Sequence, residues 1–198
     1  MTSQVLLASR NAKKLGELRR ILAPALPSVE VLGLDDVASY DEVPESGATF
    51  VDNARIKAQA GFAHTGLPTV ADDSGLAVDA LNGMPGVLSA RWAGAHDDAA
   101  NLQLVLAQLA DVPDERLGAA FVCAVVYLDA DGEIVTEGRM PGRLIRDPRG
   151  DGGFGYDPIF VADGHTETSA QLSAADKDAI SHRGQALRAL AAQLSRSR

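Results

Sequence analysis

Apolar residues recur along the chain at two different periods, and the period decides the element. Val5-Leu6-Leu7-Ala8 is a short unbroken apolar run that reads as a buried strand and breaks at Ser9-Arg10-Asn11. Leu15, Leu18, Ile21 and Leu22 then recur at helical spacing, with Asn11 placed to cap the helix and Pro24 to stop it. Val29 and Val31 alternate with Ser28 and Glu30 as in a second strand, and an acidic loop follows from Asp35 to Gly47. A helix from about Thr49 to Ala63 puts Asn53 and Lys57 one turn apart on one face, within reach of one ligand. Pro68-Thr69-Val70-Ala71 predicts a strand that delivers Asp72-Asp73-Ser74-Gly75 at its C-terminal end, where open α/β sheets hold their ligands.

The second half of the chain changes the sheet. Beyond the glycine-rich stretch 83–94, Leu102, Val105, Leu106 and Leu109 mark the buried stripe of another helix. The runs Ala119 to Leu128 and Glu133 to Glu137 flank Asp131-Gly132, a hairpin signal that adds antiparallel pairing to a parallel first half. Pro158-Ile159-Phe160-Val161 reads as a further strand, Ser173 with Asp176 as a capping box, and Leu187, Leu190 and Leu194 as the inner face of a final helix. The expected fold class is α/β, a central mixed β-sheet flanked by helices.

Composition bounds the function classes. At 198 residues and 46% hydrophobic content, the chain suits one domain or two closely packed lobes. Its net charge of −9 disfavours a nucleic acid partner, because affinity for the phosphate backbone needs a basic surface. No apolar stretch is long enough to span a bilayer and the N-terminus lacks an export pattern, so a cytoplasmic location and no membrane partner are expected. Cys123 sits in an apolar run and reads as a small buried hydrophobe, which excludes a disulfide or a Cys-based zinc site. Lysine is scarce, standing at 13, 14, 57 and 177 against 14 arginines.

Five segments carry candidate chemistry. The turn Ser9-Arg10-Asn11-Ala12-Lys13-Lys14 gathers backbone N–H groups, a hydroxyl and cations at the positive end of a helix dipole, which outlines a phosphate site without the glycines of a Walker loop. Adjacent residues leave a strand in opposite directions, so one of Asp72 and Asp73 faces the site; Asp73, beside Ser74 and Gly75, is the better candidate to hold a hard cation or take a proton from water. Glu45 is placed to supply the second carboxylate of a Mg²⁺ site, since magnesium takes one or two protein carboxylates and fills its other positions with water and phosphate. In Gly152-Gly153-Phe154-Gly155-Tyr156-Asp157, Phe154 or Tyr156 offers a flat face for a base, and Ser181-His182-Arg183-Gly184 can send two donors toward a purine carbonyl. His64, His96 and His165 share no metal-ligand spacing, and no nucleophilic triad is visible.

These segments, in this order, resemble the inosine triphosphate pyrophosphatase family of RdgB-like enzymes over nearly the whole chain. The resemblance is carried by 9–18, by Glu45 to Phe50 with Asn53 and Lys57, by Ala71 to Leu76, by Pro85 to Arg91, by Gly152 to Phe160, and by Lys177 with Ser181 to Gly184. Where this chain has Ser9 the family usually has threonine, which keeps the hydroxyl. The resemblance implies an elongated mixed sheet in a single domain, 1–198, with two lobes and an active-site cleft between them, and usually a homodimer. It implies Mg²⁺-dependent hydrolysis of ITP, dITP and XTP to the monophosphate and pyrophosphate, which clears deaminated bases from the pool used for DNA and RNA. Residue by residue, it puts the triphosphate on Ser9 to Lys14 with Lys57, and Ser74 is counted among the substrate-binding residues. Glu45 and Asp73 hold the metal, with Asp73 as base or only as ligand, and the purine lies under Phe154, Gly155, Tyr156, Asp157, Lys177, His182 and Arg183. Three of the four lysines thus fall on motif positions, where a compact ammonium suits a phosphate or carbonyl oxygen. The rival readings are a non-catalytic nucleotide-binding regulator, which a broken metal site would mark, and a pyrophosphatase with another nucleotide preference, which a substrate panel separates.

Overall fold

The computed structural model describes residues 3–25, 27–41, 43–94 and 96–196, apart from the side chains of Ser3, Ala12, Lys13 and Ala25. Strands β1 (Ser3–Leu7), β2 (Val29–Leu32), β3 (Thr69–Val78), β4 (Gly118–Leu128), β5 (Glu133–Leu144) and β6 (Phe160–Ala162) lie in one sheet in the order β2-β1-β3-β4-β5-β6. β1 is parallel to both β2 and β3, with Leu6 opposite Thr69 and Leu7 opposite Val70, while β5 and β6 are antiparallel. Neighbouring β4 and β5 are joined by residues 129–132 alone, too short for a parallel crossover, so they form the predicted hairpin. Its turn is closed by Asp129, whose Oδ1 accepts the N–H groups of Asp131 and Gly132. The sheet is mixed, and helices α1 (Ala12–Ala25), α2 (Phe50–Thr65), α3 (Asp98–Gln108), α4 (Ala174–Ile180) and α5 (His182–Arg196) complete an α/β fold.

Local chemistry sets the helix ends. Asn11 Oδ1 accepts the Lys14 N–H at 3.3 Å, the cap its position predicts. Thr49 and Asp52 exchange side-chain and backbone hydrogen bonds at the start of α2, and Gly66 ends that helix at φ 67° with its N–H on the Phe62 carbonyl. One expectation fails: β3 does not stop at Ala71 but runs ten residues to Val78, so Asp72 and Asp73 lie inside the strand instead of at its end. The reason is burial beyond the polar run, where Leu76 and Val78 are fully enclosed and the Leu76 N–H donates to Ser89 Oγ at 2.9 Å. Gly75 permits that approach, since a Cβ there would collide with Ser89 Oγ and the Gly86 carbonyl.

The chain forms two compact units, the first comprising Met1–Asp73, Cys123–Gly138 and Arg183–Arg198, the second Ser74–Val122 and Arg139–His182. In the first, alternation along β3 sends Val70 into a core with Leu18, Leu22, Cys123, Leu187 and Leu190, and Ala71 into a smaller cluster with Ala8, Ala54 and Ala58. Alanine at those positions lets α2 lie close to the sheet, as does Gly61, where a Cβ would stand 2.8 Å from Thr69 Cγ2. The second unit packs Leu76, Val78, Leu102, Val105, Phe121 and Phe160 together. Among the described residues no helix is long and apolar enough to cross a membrane.

Candidate active site

Because β1 ends at Leu7 while its parallel neighbour β3 continues, the turn into α1 lies beside the two aspartates; the Ala8 N–H donates to the Val70 carbonyl at 2.9 Å. In the turn, Ser9 Oγ accepts the Asn11 N–H at 3.2 Å, and Arg10 and Asn11 are exposed. The first amides of α1 have no partner within the helix and carry its positive dipole end, a setting for an anion. The side chains of Ala12 and Lys13, both expected to bind substrate, fall outside the described residues.

The parity that separates Val70 from Ala71 separates the aspartates as well. Asp72 follows Val70 toward α1 and α5, where its Oδ2 meets Lys14 Nζ at 2.8 Å and Arg183 Nε at 3.1 Å. Arg183 Nη1 lies 3.3 Å from Glu17 Oε2, and all three of Asp72, Glu17 and Arg183 are buried. Burial opposes the charge on Asp72, but Lys14, Arg183 and Lys57 outweigh it and hold the carboxyl well below the usual range.

Asp73 follows Ala71 toward α2. Its Oδ2 accepts from Asn53 Nδ2 at 2.9 Å, and its Oδ1 lies 3.9 Å from Lys57 Nζ, which donates to Glu45 Oε1 at 2.5 Å. Burial pushes the Asp73 carboxyl up; Lys57 and Asn53 oppose this, and the Glu45 charge adds to it. For Lys57, burial favours the neutral amine, yet Asp72, Asp73 and Glu45 together raise its pKa. Two carboxylates thus converge on one ammonium. That donor set fits a hard divalent cation, which binds carboxylate oxygen and, in the case of magnesium, needs few protein ligands. Among the described residues no group of three or more His, Cys, Asp or Glu forms a fuller cage.

In the second unit the glycine-rich loop is built from its own backbone. Gly153 and Gly155 have φ of 74° and 61°, and a Cβ on Gly153 would strike Asp157 Oδ2. Asp157, buried, accepts the Phe154 N–H at 2.8 Å and pairs with Lys177, while Asp98 Oδ2 accepts the Gly155 N–H at 2.9 Å. The two aromatic candidates part company: Tyr156 is buried with its hydroxyl on the Ser89 carbonyl at 2.8 Å, whereas Phe154 is 46% exposed. The flat face open to a ligand therefore belongs to Phe154, and Lys177 Nζ stands 5.4 Å from its ring centroid. His182 is buried and stacked on Phe121 with centroids 5.1 Å apart.

The structure thus groups Lys14 with Asp72, Lys57 with Glu45 and Asp73, and Lys177 with Phe154 and Asp157, while Ser74 is half-buried in β3. Three of the expected residues are engaged with protein groups. Arg183, expected to meet the base, has its guanidinium on the carboxylates of Asp72 and Glu17, because α5 packs over the face of β3 that carries Asp72. Tyr156 has its ring in the core. Asn53, expected to face a ligand with Lys57, is fully enclosed and bonds to protein groups. Glu17 and Asp98 carry no motif that marks them, although Glu17, one turn after Lys14 on α1, has a signal in that spacing.

Comparison with known proteins follows the same outline. The sequence pattern of the Ham1 family matches residues 5–193. A dITP/XTP pyrophosphatase of Nocardia farcinica is 65% identical over 191 residues, covering 95% of this chain and 93% of its own. The crystal structure of a nucleoside-triphosphatase, or dITP/XTP pyrophosphatase, from Mycobacterium abscessus is 60% identical with a TM-score of 0.80, covering 96% of this chain and 98% of that one. A HAM1 protein from Coxiella burnetii is 40% identical with a TM-score of 0.91, covering 98% and 99%.

Proposed function

We propose, from the premise that this chain belongs to the Ham1 family, that it hydrolyses the deaminated purine nucleotides dITP, ITP and XTP to the monophosphate and pyrophosphate. The observation that carries the reading is the convergence of Glu45 and Asp73 on one cation beside a helix terminus suited to phosphate. Relatives 60–65% identical over nearly the full chain bear the name dITP/XTP pyrophosphatase.

In this reading the amides at the start of α1, with Lys14, hold the triphosphate, and Lys57 offsets the charge that gathers at the broken bond. Glu45 and Asp73 would hold Mg²⁺, which when bound neutralises phosphate charge and polarises a phosphoryl oxygen. Asp73 orients the attacking water or takes its proton, for a cleavage between the α and β phosphates. Asp72, held by Arg183, which Glu17 holds in turn, keeps the Lys14 ammonium in place. Phe154 stacks with the purine, and Lys177, His182 and Arg183 meet the 6-oxo group. Adenine carries an amino group at that position and would leave buried donors unpaired, at about 1–3 kcal/mol each. The same reading has the enzyme cytoplasmic, homodimeric and acting on free nucleotides.

The test is pyrophosphate release from ITP, dITP, XTP, GTP and ATP with and without Mg²⁺. Preferential, Mg²⁺-dependent release from the deaminated substrates is expected. Orthophosphate as the product would refute the bond assignment, and equal rates on ATP would refute the base assignment.

A further inference from the structure

Asn53 is fully buried and both ends of its amide are in use: Oδ1 accepts the Gly47 N–H at 2.8 Å and Nδ2 donates to Asp73 Oδ2 at 2.9 Å. The orientation is forced. A backbone N–H is a donor alone, so the atom facing Gly47 is the carbonyl oxygen, and the NH₂ group is turned to Asp73. An NH₂ group is likewise a donor alone, so Asp73 Oδ2 is the acceptor of this bond. We propose that Asn53 is the positioning residue of the site, committing Asp73 Oδ2 to the scaffold and Oδ1 to the cation or the attacking water, while tethering the loop that brings Glu45. Oδ1 is the oxygen on the Lys57 side, 3.9 Å from its ammonium.

Gly47 supports the assignment independently. A Cβ there would stand 2.6 Å from Asp52 Cβ, 2.8 Å from Asn53 Oδ1 and 2.9 Å from the Asn53 nitrogen, so glycine is required by close approach to the start of α2. Glu45 precedes this fixed point by two residues, and its reach to Lys57 depends on where the loop is pinned. The inference rests on the reading that Glu45 and Asp73 hold a divalent cation.

The experiment titrates Mn²⁺ into the nucleotide-free full-length protein, following free Mn²⁺ by electron paramagnetic resonance, beside kcat and KM for dITP and a thermal unfolding curve. Asn53→Ala removes both arms of the clamp, and Gly47→Ala displaces the loop while leaving the amide. Each folded variant is expected to bind Mn²⁺ about 10–100-fold more weakly and to lose kcat by a similar factor, with KM little changed. Folded variants with wild-type Mn²⁺ affinity and kcat would overturn the proposal. Should both variants fail to fold, the wild-type protein decides: the Asn53 side-chain NH₂ protons stay protected from exchange when Mg²⁺ is added, and their release by the metal would overturn the assignment of Oδ2. A wild-type protein that hydrolyses dITP but takes up no Mn²⁺ would remove the metal reading and this inference with it.

Discussion

Asp72 and Asp73 are adjacent in sequence and both largely buried, yet strand parity gives them opposite electrostatic surroundings. Around Asp72 the charges balance, with Lys14 and Arg183 against Asp72 and Glu17, and the carboxyl is held well below its ordinary range. Around Asp73 the setting differs: Glu45 and Asp73 both face the ammonium of Lys57, and burial, with the Glu45 charge adding to it, pushes the carboxyl up. A balanced buried set fixes geometry and asks for nothing more. A buried carboxyl held above its ordinary range gains from added positive charge, and such strain in a folded protein is a mark of function more than of stability.

The largest expected effect is at Asp73. Asp73→Asn keeps the shape and an acceptor for Asn53 but removes the carboxylate, so hydrolysis of dITP should fall by about 10²–10⁴-fold. Stability should move the other way. A carboxyl whose folded pKa is raised destabilises the fold wherever it is ionised, above its folded pKa, and has no such effect below the unfolded value. The variant should therefore melt at a higher temperature than the wild type at neutral pH, with the gain fading as the pH falls through the raised folded value and gone below about 4. Thermal scans across that range check it; a variant that is less stable at neutral pH would mean that Asp73 is not strained.

Asp72→Asn tests the balanced side, and the sign reverses. Removing one member of a buried ion network leaves the others uncompensated, here Lys14 and Arg183 with Glu17 alone, at a cost of about 3–5 kcal/mol. A carboxyl with a depressed folded pKa contributes stability above its unfolded pKa that is lost as the pH falls through the folded value. The difference from wild type should be full at neutral pH and shrink only in strong acid, as read by urea unfolding at both. A stabilised Asp72→Asn protein would erase the distinction between the two aspartates.

How far this was legible in the sequence depends on the range of the signal. The first strand, its turn and the cap of α1 are local patterns, as are the Thr49 and Asp52 cap and the Asp131-Gly132 hairpin, and all appear where the pattern puts them. The length of β3 was hidden because Asp72-Asp73-Ser74-Gly75 has the composition of a turn, and what carries the strand through it is the enclosure of Leu76 and Val78 by distant residues. Arg183, one of the two cations on Asp72, is 111 positions away, beyond any spacing rule. Asn53 and Lys57 share a helix face as periodicity requires, but periodicity does not say that a glycine loop will close over one of them. Phe154 and Tyr156 are alike in composition and are separated by one hydroxyl contact, to Ser89.

The smallest expected effect calibrates the comparison with a third ion cluster in the same unit. Arg55 meets Glu133 through Nε at 3.0 Å and Nη2 at 2.9 Å, and Asp52 through Nη1 at 3.4 Å, with about a third of each of the Arg55 and Glu133 side chains exposed. The geometry is better than that of Arg183 with Glu17, and the hydrogen bond from Arg55 lowers the Glu133 carboxyl, but water reaches both partners and screens them. Exposed pairs of this kind contribute about 0.2–1 kcal/mol, and salt removes much of it. Glu133→Gln should therefore cost under about 1 kcal/mol in low salt and close to nothing at high salt, with dITP hydrolysis unchanged. The loss in Asp72→Asn should survive the same salt, because its charges are enclosed. If the two variants lost equal stability and responded alike to salt, burial would not be what sets the Asp72 cluster apart, and the contrast across β3 would reduce to a count of charges.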